Sequence, residues 1–463
     1  MKFPDQIVKK DDDMNANERL AHWASSVSTV HTPLAIERAE NAVIDTIACM
    51  LIGSQHPVTE RILAAVAQWG NGNSTIIGCP HKTAAPWAAL VNGTSAHAID
   101  FDDYNETPSF THPSSVILPA LLAIAEEQDK SGADVLDAFI VGVEVIMRIG
   151  EAVNPSHYKL GWHATSTIGA LGAAVSSARL IGLDSNAISS ALSIATSHAS
   201  GYNSQFGTMA KPLHAGFAAH TGVLAAQFAA MDISASTTTL DGKWSFLSLL
   251  STKEVQDFDN ALEKLGRKLA IEEYGLTIKP YPCCSAIHRA IDGILDLRTE
   301  YNLSPADVAA ITVRIPAAYA DILPFVFPES DTEARFSMTY CVAVALFSGD
   351  LLPVDFTMKA IKRSEIRALI SLITMKRHSG TTQNQDIQKP DIVTIELKTG
   401  RILERIVDKP LGSIDRPFDK TELQAKFTHC AQDILGQERC SKLISLLQNL
   451  GTLERLSELM SLL

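Results

Sequence analysis

The stretch from residue 160 to 182, LGWHATSTIGALGAAVSSARLIG, decides the fold class of this chain. Its helical run carries almost no bulk, with Gly169 and Gly172 among its many small residues. Small side chains let helices approach one another closely, so the sequence predicts a buried helix at the centre of a bundle. His163 and Arg179 argue against a membrane span in this stretch.

The helical pattern extends from about residue 15 to residue 270. Between residues 136 and 150, apolar or small residues recur at intervals of three and four, which places them on one face of a helix. Asp134 and Asp137 lie at the start of that stretch, where the helix dipole favours anions. Similar stripes predict further helices at 35–52, 58–69 and 185–198.

The pattern changes near residue 272, where short β-branched stretches begin. Three of them predict strands, and Gly400 between the last two indicates a hairpin. The predicted strands are 310–315 (AITVRI), 392–397 (IVTIEL) and 402–407 (ILERIV). Helical stretches alternate with them at 284–300, 332–347 and 364–375. This mixture is typical of a compact α+β unit.

These patterns together predict a mainly α fold. A flexible N-terminal tail covers residues 1–14. A large all-helical domain is formed by both chain ends, residues 15–271 and 410–463, because the chain returns to helix after Pro410. The smaller α+β domain, residues 272–409, is then an insertion.

The charge of the chain excludes several kinds of partner. With 463 residues, 39 Lys and Arg against 52 Asp and Glu give a net charge of −13. Nucleic acids and anionic membranes need a positive surface that displaces counterions, so neither is expected as a partner. The negative net charge therefore predicts that the partner is a small molecule.

The location of the protein follows from what the chain lacks. Apolar runs such as 116–125 are much shorter than the roughly 20 residues of a membrane span. The N-terminus has no apolar segment after its lysines, and three aspartates follow, which fits neither a secretory signal nor a transit peptide. The seven cysteines are scattered without a CxxC pair. We therefore expect a cytoplasmic protein with reduced thiols.

Two segments that contain histidine are the first candidates for chemistry. Asp100 lies in a crowd of carboxylates, DFDD, and Tyr104 and His112 follow it. Carboxylates this close repel one another unless a cation or a donor is near. The structural alternative is a helix end with capping aspartates and a solvated loop. His163 begins the small-residue helix, where the dipole favours the neutral imidazole that a general base needs, or it is a core histidine bonded to a backbone carbonyl.

Two further segments contain lysines that could bind an anion. Lys211 precedes a proline among apolar and small residues, with His214 after it. Such a lysine either extends to water or is held buried opposite an anion. Lys279 begins KPYPCC, which contains Cys284, and His288 lies on the helix that follows. This segment falls where the helical pattern ends, which is a natural place for a cleft between domains.

The combined residue types favour proton transfer next to a carboxylate. Cations would hold the carboxylates of a substrate and stabilise a developing carbanion, while histidine moves a proton and Asp100 orients it. The sequence contains no GxGxxG, P-loop, nucleophile elbow or HExxH motif. The histidines lack paired i, i+4 spacing, so no metal and no cofactor is predicted, although composition alone leaves a zinc site open.

The order of several motifs resembles the MmgE/PrpD family, which includes 2-methylcitrate dehydratase, cis-aconitate decarboxylase and an iminodisuccinate epimerase. The resemblance covers nearly the whole chain. It rests on DFDD (100–103), THPSS (111–115), GWHATSTIG (161–169), GTMAKPLHAG (207–216), KPYPCC (279–284) and KPLGS (409–413).

The resemblance implies a helical domain with an inserted α+β lid, a cleft between them, a homodimer, and cofactor-free chemistry on small di- and tricarboxylates. It implies catalytic roles for Asp100, His112, His163, Lys211 and Lys279. The residues predicted to bind substrate are Tyr104, His214, Cys284 and His288.

The reaction type stays open at this point. Animal members of the family that decarboxylate cis-aconitate carry threonine where Tyr104 aligns and histidine where Cys284 aligns. The sequence therefore predicts a lyase of the dehydratase or decarboxylase type. The alternatives are an epimerase or isomerase of a dicarboxylate, a metal-dependent hydratase, and a helical interaction protein without activity.

Overall fold

The computed structural model describes residues 14–378 and 389–463. It is 58% helical with only small sheets, which confirms the predicted mainly α fold with a smaller α+β part. The tail predicted for residues 1–14 lies outside the described residues except for Met14. In the two described ranges, no helix is both long enough and apolar enough to cross a membrane.

Helices form most of the chain up to residue 273, and local signals set where they begin. Asn15 caps the first helix with a capping box, and Pro33 and Pro57 occupy first-turn positions in the next two. The elements are α1 (Ala16–Ser26), α2 (Pro33–Ser54), α3 (Pro57–Val66), β1 (Ser74–Thr75), β2 (Lys82–Thr83), α4 (Ala85–His97), α5 (Ser114–Glu127), α6 (Gly132–Val153), α7 (Ser156–Lys159), α8 (Ala164–Ile181), α9 (Ser185–Thr196), α10 (Ala210–Ala230), α11 (Phe246–Leu250), α12 (Val255–Leu262) and α13 (Ala270–Glu273).

Helix α8 is the buried central helix that the sequence predicted. It packs against α5, α6, α9 and α10. A Cβ atom at Gly172 would lie 2.3 Å from Ile146 Cγ1, and one at Gly222 of α10 would lie 2.5 Å from the Cβ of Ala173. The small residues are therefore required by the close approach of these helices.

The α+β part contains a four-stranded sheet. Its elements are α14 (His288–Tyr301), β3 (Val308–Ile315), α15 (Ala317–Ala320), α16 (Asp331–Ala334), α17 (Met338–Ser348), α18 (Met358–Ile361), α19 (Ser364–Ile370), β4 (Ile373–Arg377), β5 (Asp391–Leu397) and β6 (Ile402–Val407). The strand order is β4-β3-β5-β6, with β3 and β4 parallel and the other pairs antiparallel. The predicted hairpin is β5 and β6.

Two of the predicted helices in this part are wrong in extent. The helix predicted for 364–375 ends at Ile370, and the chain continues as strand β4. That strand forms because β3, some 60 residues earlier, offers it a parallel edge. The helix predicted for 332–347 is interrupted before Met338, because the Ser337 side chain caps a new helix there.

The C-terminal stretch returns to helix and joins the first part of the chain. Its helices are α20 (Lys420–Leu435), α21 (Gln437–Leu447) and α22 (Ser457–Met460). One hydrophobic core combines buried residues from 16 to 271 with residues from 423 to 463, and a second combines residues from 281 to 403. The domain limits at 271/272 and 409/410 stay predictions.

Candidate active site

A cavity of about 590 Å³, measured with its open mouth, lies between residues of the two cores. Seven of the residues singled out in the sequence border it: Asp100, Tyr104, His112, His163, Lys211, Lys279 and Cys284. Aromatic side chains, among them Phe110, Phe206, Tyr319 and Phe336, form much of the remaining wall. The cavity therefore combines charged groups with an apolar surround, as small-molecule sites commonly do.

Asp100 joins two buried lysines. Its Oδ1 accepts from Lys211 Nζ at 2.9 Å and from Lys279 Nζ at 2.7 Å, and Lys279 also donates to the Asp100 carbonyl at 3.0 Å. Burial alone would raise the pKa of Asp100, but the two ammonium groups outweigh it and hold that pKa well below its usual range. Lys211 and Lys279 both border the cavity and keep N–H donors beyond those that Asp100 accepts, which suits an anionic ligand.

Asp102 organises two histidines beside this group. Its Oδ2 lies 2.9 Å from His97 Nδ1 and 3.2 Å from His112 Nδ1. His112 Nδ1 is also 2.8 Å from the Asp103 carbonyl, which can only accept, so Nδ1 carries the proton. Nε2 of His112 is then the nitrogen free to accept a proton. Burial lowers the pKa of His112 despite the carboxylate, which keeps the imidazole neutral near pH 7.

His163 and His214 form a second imidazole pair. Their Nδ1 atoms are 2.9 Å apart, so one must donate and the other accept. Burial lowers the pKa of both, that of His163 well below its usual range and that of His214 to about 4. Both rings are therefore neutral near pH 7. His163 is the residue immediately before α8, in agreement with its predicted place at the start of the helix.

The predicted substrate-binding residues lie in different places. Tyr104 and Cys284 border the cavity, and burial raises the pKa of the Cys284 thiol to about 12, so the thiol stays protonated. His214 stands behind His163 rather than on the cavity wall. His288 is fully buried, with Nε2 3.1 Å from the Cys283 carbonyl, and does not border the cavity. Contact of these residues with substrate stays a prediction.

Sequence reasoning missed His97 and Asp102 as members of the site. His97 ends α4 and Asp102 follows in the adjoining loop, a separation of five residues that no helix or strand periodicity marks. The crowding of carboxylates in DFDD was the available signal, but it did not show which carboxylate faces which cation.

His97, Asp100, Asp102 and His112 also place potential ligand atoms within 4.8 Å of one another, a spacing that a metal ion could use. Asp100 Oδ1, however, already accepts from two ammonium groups. A divalent cation here would lie beside two fixed positive charges in a buried site, which opposes its binding. The donor set thus fits a metal poorly, and the expectation of a site without metal stays a prediction.

Comparison with known proteins shows the family of the chain. Models of the MmgE/PrpD N-terminal and C-terminal domains match residues 18–259 and 281–451. Cis-aconitate decarboxylase of Homo sapiens is 30% identical, covering 93% of this chain and 91% of that protein. The Aspergillus terreus protein of the same name is 29% identical, covering 99% of this chain and 98% of its own. 2-Methylcitrate dehydratase of Cupriavidus necator is 26% identical, covering 83% of each. This chain belongs to the MmgE/PrpD family.

Proposed function

We propose that the protein is a cofactor-independent lyase of small polycarboxylates, with decarboxylation of cis-aconitate as its first candidate reaction. The observation that carries this proposal is the buried Asp100 carboxylate shared by Lys211 and Lys279, beside neutral imidazoles in one cavity. The relatives named for that decarboxylation are 29–30% identical over more than 90% of the chain, which supports the choice of reaction.

The lysines would supply the electron sink. When the CH2–CO2⁻ bond of cis-aconitate breaks, its electron pair forms a new double bond to the central carbon. The original π pair moves to the carbon next to the distal carboxylate. Ammonium groups on that carboxylate, those of Lys211 and Lys279, stabilise the charge that develops there. A proton delivered to the same carbon then completes the product, itaconate, and carbon dioxide leaves.

An imidazole would deliver the proton. Their lowered pKa values keep His112 and His163 neutral, but a polycarboxylate anion nearby favours their charged forms. Binding of substrate therefore charges the acid that the reaction needs. Asp100 would keep Lys279 protonated, since its carboxylate raises the pKa of that ammonium against the effect of burial.

Dehydration of 2-methylcitrate is the second candidate. It needs an acid that protonates a departing hydroxyl. Burial raises the pKa of Tyr104 well above its usual range, so its phenol carries a proton on the cavity wall and could serve as that acid. The likeness to the dehydratase of Cupriavidus necator supports this alternative.

One experiment separates the reactions. The purified protein is incubated in heavy water with cis-aconitate, citrate and 2-methylcitrate, and each mixture is followed by proton and carbon NMR. Decarboxylation of cis-aconitate gives itaconate with one deuterium in its CH2–CO2⁻ group. Dehydration gives an unsaturated product without loss of carbon, and epimerisation would give exchange with inversion. No turnover, together with no thermal stabilisation by any of the acids, would favour an inactive interaction protein.

Substrate binding is expected to take up protons, because the histidine pKa values rise from their lowered values when an anion binds. A group whose pKa is higher in the complex strengthens binding as the pH falls. Affinity for the unreactive tricarballylate should therefore increase, by up to about tenfold per pH unit for each proton taken up, as the pH falls through the pKa that the imidazole has in the complex. Calorimetry in buffers of different ionisation enthalpy measures the uptake. Release of protons on binding would contradict the assignment of neutral imidazoles to His112 and His163.

The homodimer and the cytoplasmic location expected from the sequence belong to the same proposal, as does the absence of nucleic-acid and membrane partners. Size-exclusion chromatography with light scattering tests the dimer, and a monomer that turns over substrate would reject it.

A further inference from the structure

A single lysine of the C-terminal stretch lies directly behind the site. Lys426 is on α20, and its side chain is only 5% exposed. Its ammonium donates to the Phe101 carbonyl at 2.8 Å and to the Lys279 carbonyl at 2.9 Å. The same nitrogen lies 2.5 Å from Asp45 Oδ1 of α2 and 3.9 Å from the centre of the Phe101 ring. It does not border the cavity.

The two carbonyls belong to the two segments that form the centre of the site. Phe101 directly follows Asp100, and Lys279 is the residue whose own ammonium reaches Asp100. The Lys426 ammonium, from the C-terminal stretch, therefore connects the two segments by hydrogen bonds to a backbone carbonyl of each. Two of the three ammonium donors are used on these carbonyls, and Asp45 is the counter-ion.

The backbone at Asp100 needs such support. Asp100 has a φ of 55°, in the left-handed region that residues with a side chain seldom adopt. A residue in this region keeps its conformation only when its surroundings impose it. The Lys279 ammonium holds the Asp100 carbonyl, and Lys426 holds the carbonyl of the next residue.

We propose that Lys426 is a positioning residue, whose ammonium holds the backbone of Phe101 and Lys279 so that the Asp100 carboxylate meets the cavity lysines. The effect on turnover rests on the proposed function, whereas the effect on the backbone does not. A buried ion pair that only stabilised the fold would act through Asp45 as strongly as through Lys426. The two roles can therefore be separated by substitution.

The test compares Asp45→Asn with the double variant Asp45→Asn/Lys426→Met in the full chain. Asp45→Asn leaves both carbonyl hydrogen bonds of Lys426 in place, so kcat should stay within about twofold of the wild type. The double variant removes both charges and leaves no unpaired ion, but it also removes the donor to both carbonyls. We expect its kcat to fall by about 10- to 100-fold with KM changed much less, as small displacements of catalytic groups produce.

Hydrogen exchange gives the second readout. In the double variant, amides within residues 99–103 and 278–281 should exchange faster while the remaining helical core is unchanged. Wild-type kcat and wild-type exchange in both segments would overturn the proposal, and so would equal losses of kcat in the two variants. If the wild type turns over none of the acids, the proposed function fails, and the exchange result still decides the role of Lys426.

Lys426→Arg covers the case in which the double variant does not fold. Arginine keeps a cation opposite Asp45, but its planar group cannot reproduce the compact three-donor geometry of the ammonium. The proposal then requires faster exchange in the same two segments and a lower kcat. Wild-type values of both would overturn it.

Discussion

Replacement of Lys211 by methionine is expected to lower kcat/KM by about 10²- to 10³-fold, the usual effect of removing one group that stabilises transition-state charge. Lys211 reaches the cavity and shares Asp100 Oδ1 with Lys279. The second ammonium stays on the carboxylate in the variant. The loss of stability should therefore be smaller than the roughly 3–5 kcal/mol that follows when a buried ion pair loses its sole partner.

Steady-state kinetics and urea unfolding measure the two effects. Lys442→Met is the matched control, because Lys442 is exposed on α21 and pairs with the exposed Glu438 at 2.8 Å. We expect the control to change neither quantity noticeably. Wild-type turnover by the Lys211→Met variant would contradict the proposal that Lys211 stabilises the developing negative charge.

Replacement of His112 by glutamine is expected to reduce kcat by about 10²- to 10⁴-fold, the range over which a positioned acid or base contributes. The glutamine amide cannot take up and return a proton in place of Nε2. KM should change little, because the lysines remain. The pH dependence of the residual kcat should lose the limb that belongs to this imidazole.

His288→Gln provides an informative comparison for the histidine variant. The sequence predicted that His288 binds substrate, but the side chain lies against the Cys283 carbonyl and away from the cavity. We expect the kcat of His288→Gln to stay within about threefold of the wild type, because this substitution leaves the reacting groups in place. A decrease in kcat as large as that of His112→Gln would show that His288 does take part in the site.

Local patterns were sufficient to predict much of the fold. The spacing of small residues predicted α8 as a central helix, and alternation around Gly400 predicted the β5–β6 hairpin, since both depend on neighbours in sequence. Strand β4 was not predicted, because it pairs with the edge of β3, which is distant in sequence. A strand of that kind is specified by its tertiary neighbours more than by its own residues.

The sequence by itself determined which residue types were available: bases at His112 and His163, and ammonium groups at Lys211 and Lys279. Only the tertiary structure decided how they are combined. It brings Lys211 and Lys279 across 111 and 179 positions to one oxygen of Asp100. It also fixes the proton of His112 on Nδ1. These outcomes depend on distances and burial, because charges interact strongly only where water is excluded, and no spacing along a chain encodes that exclusion.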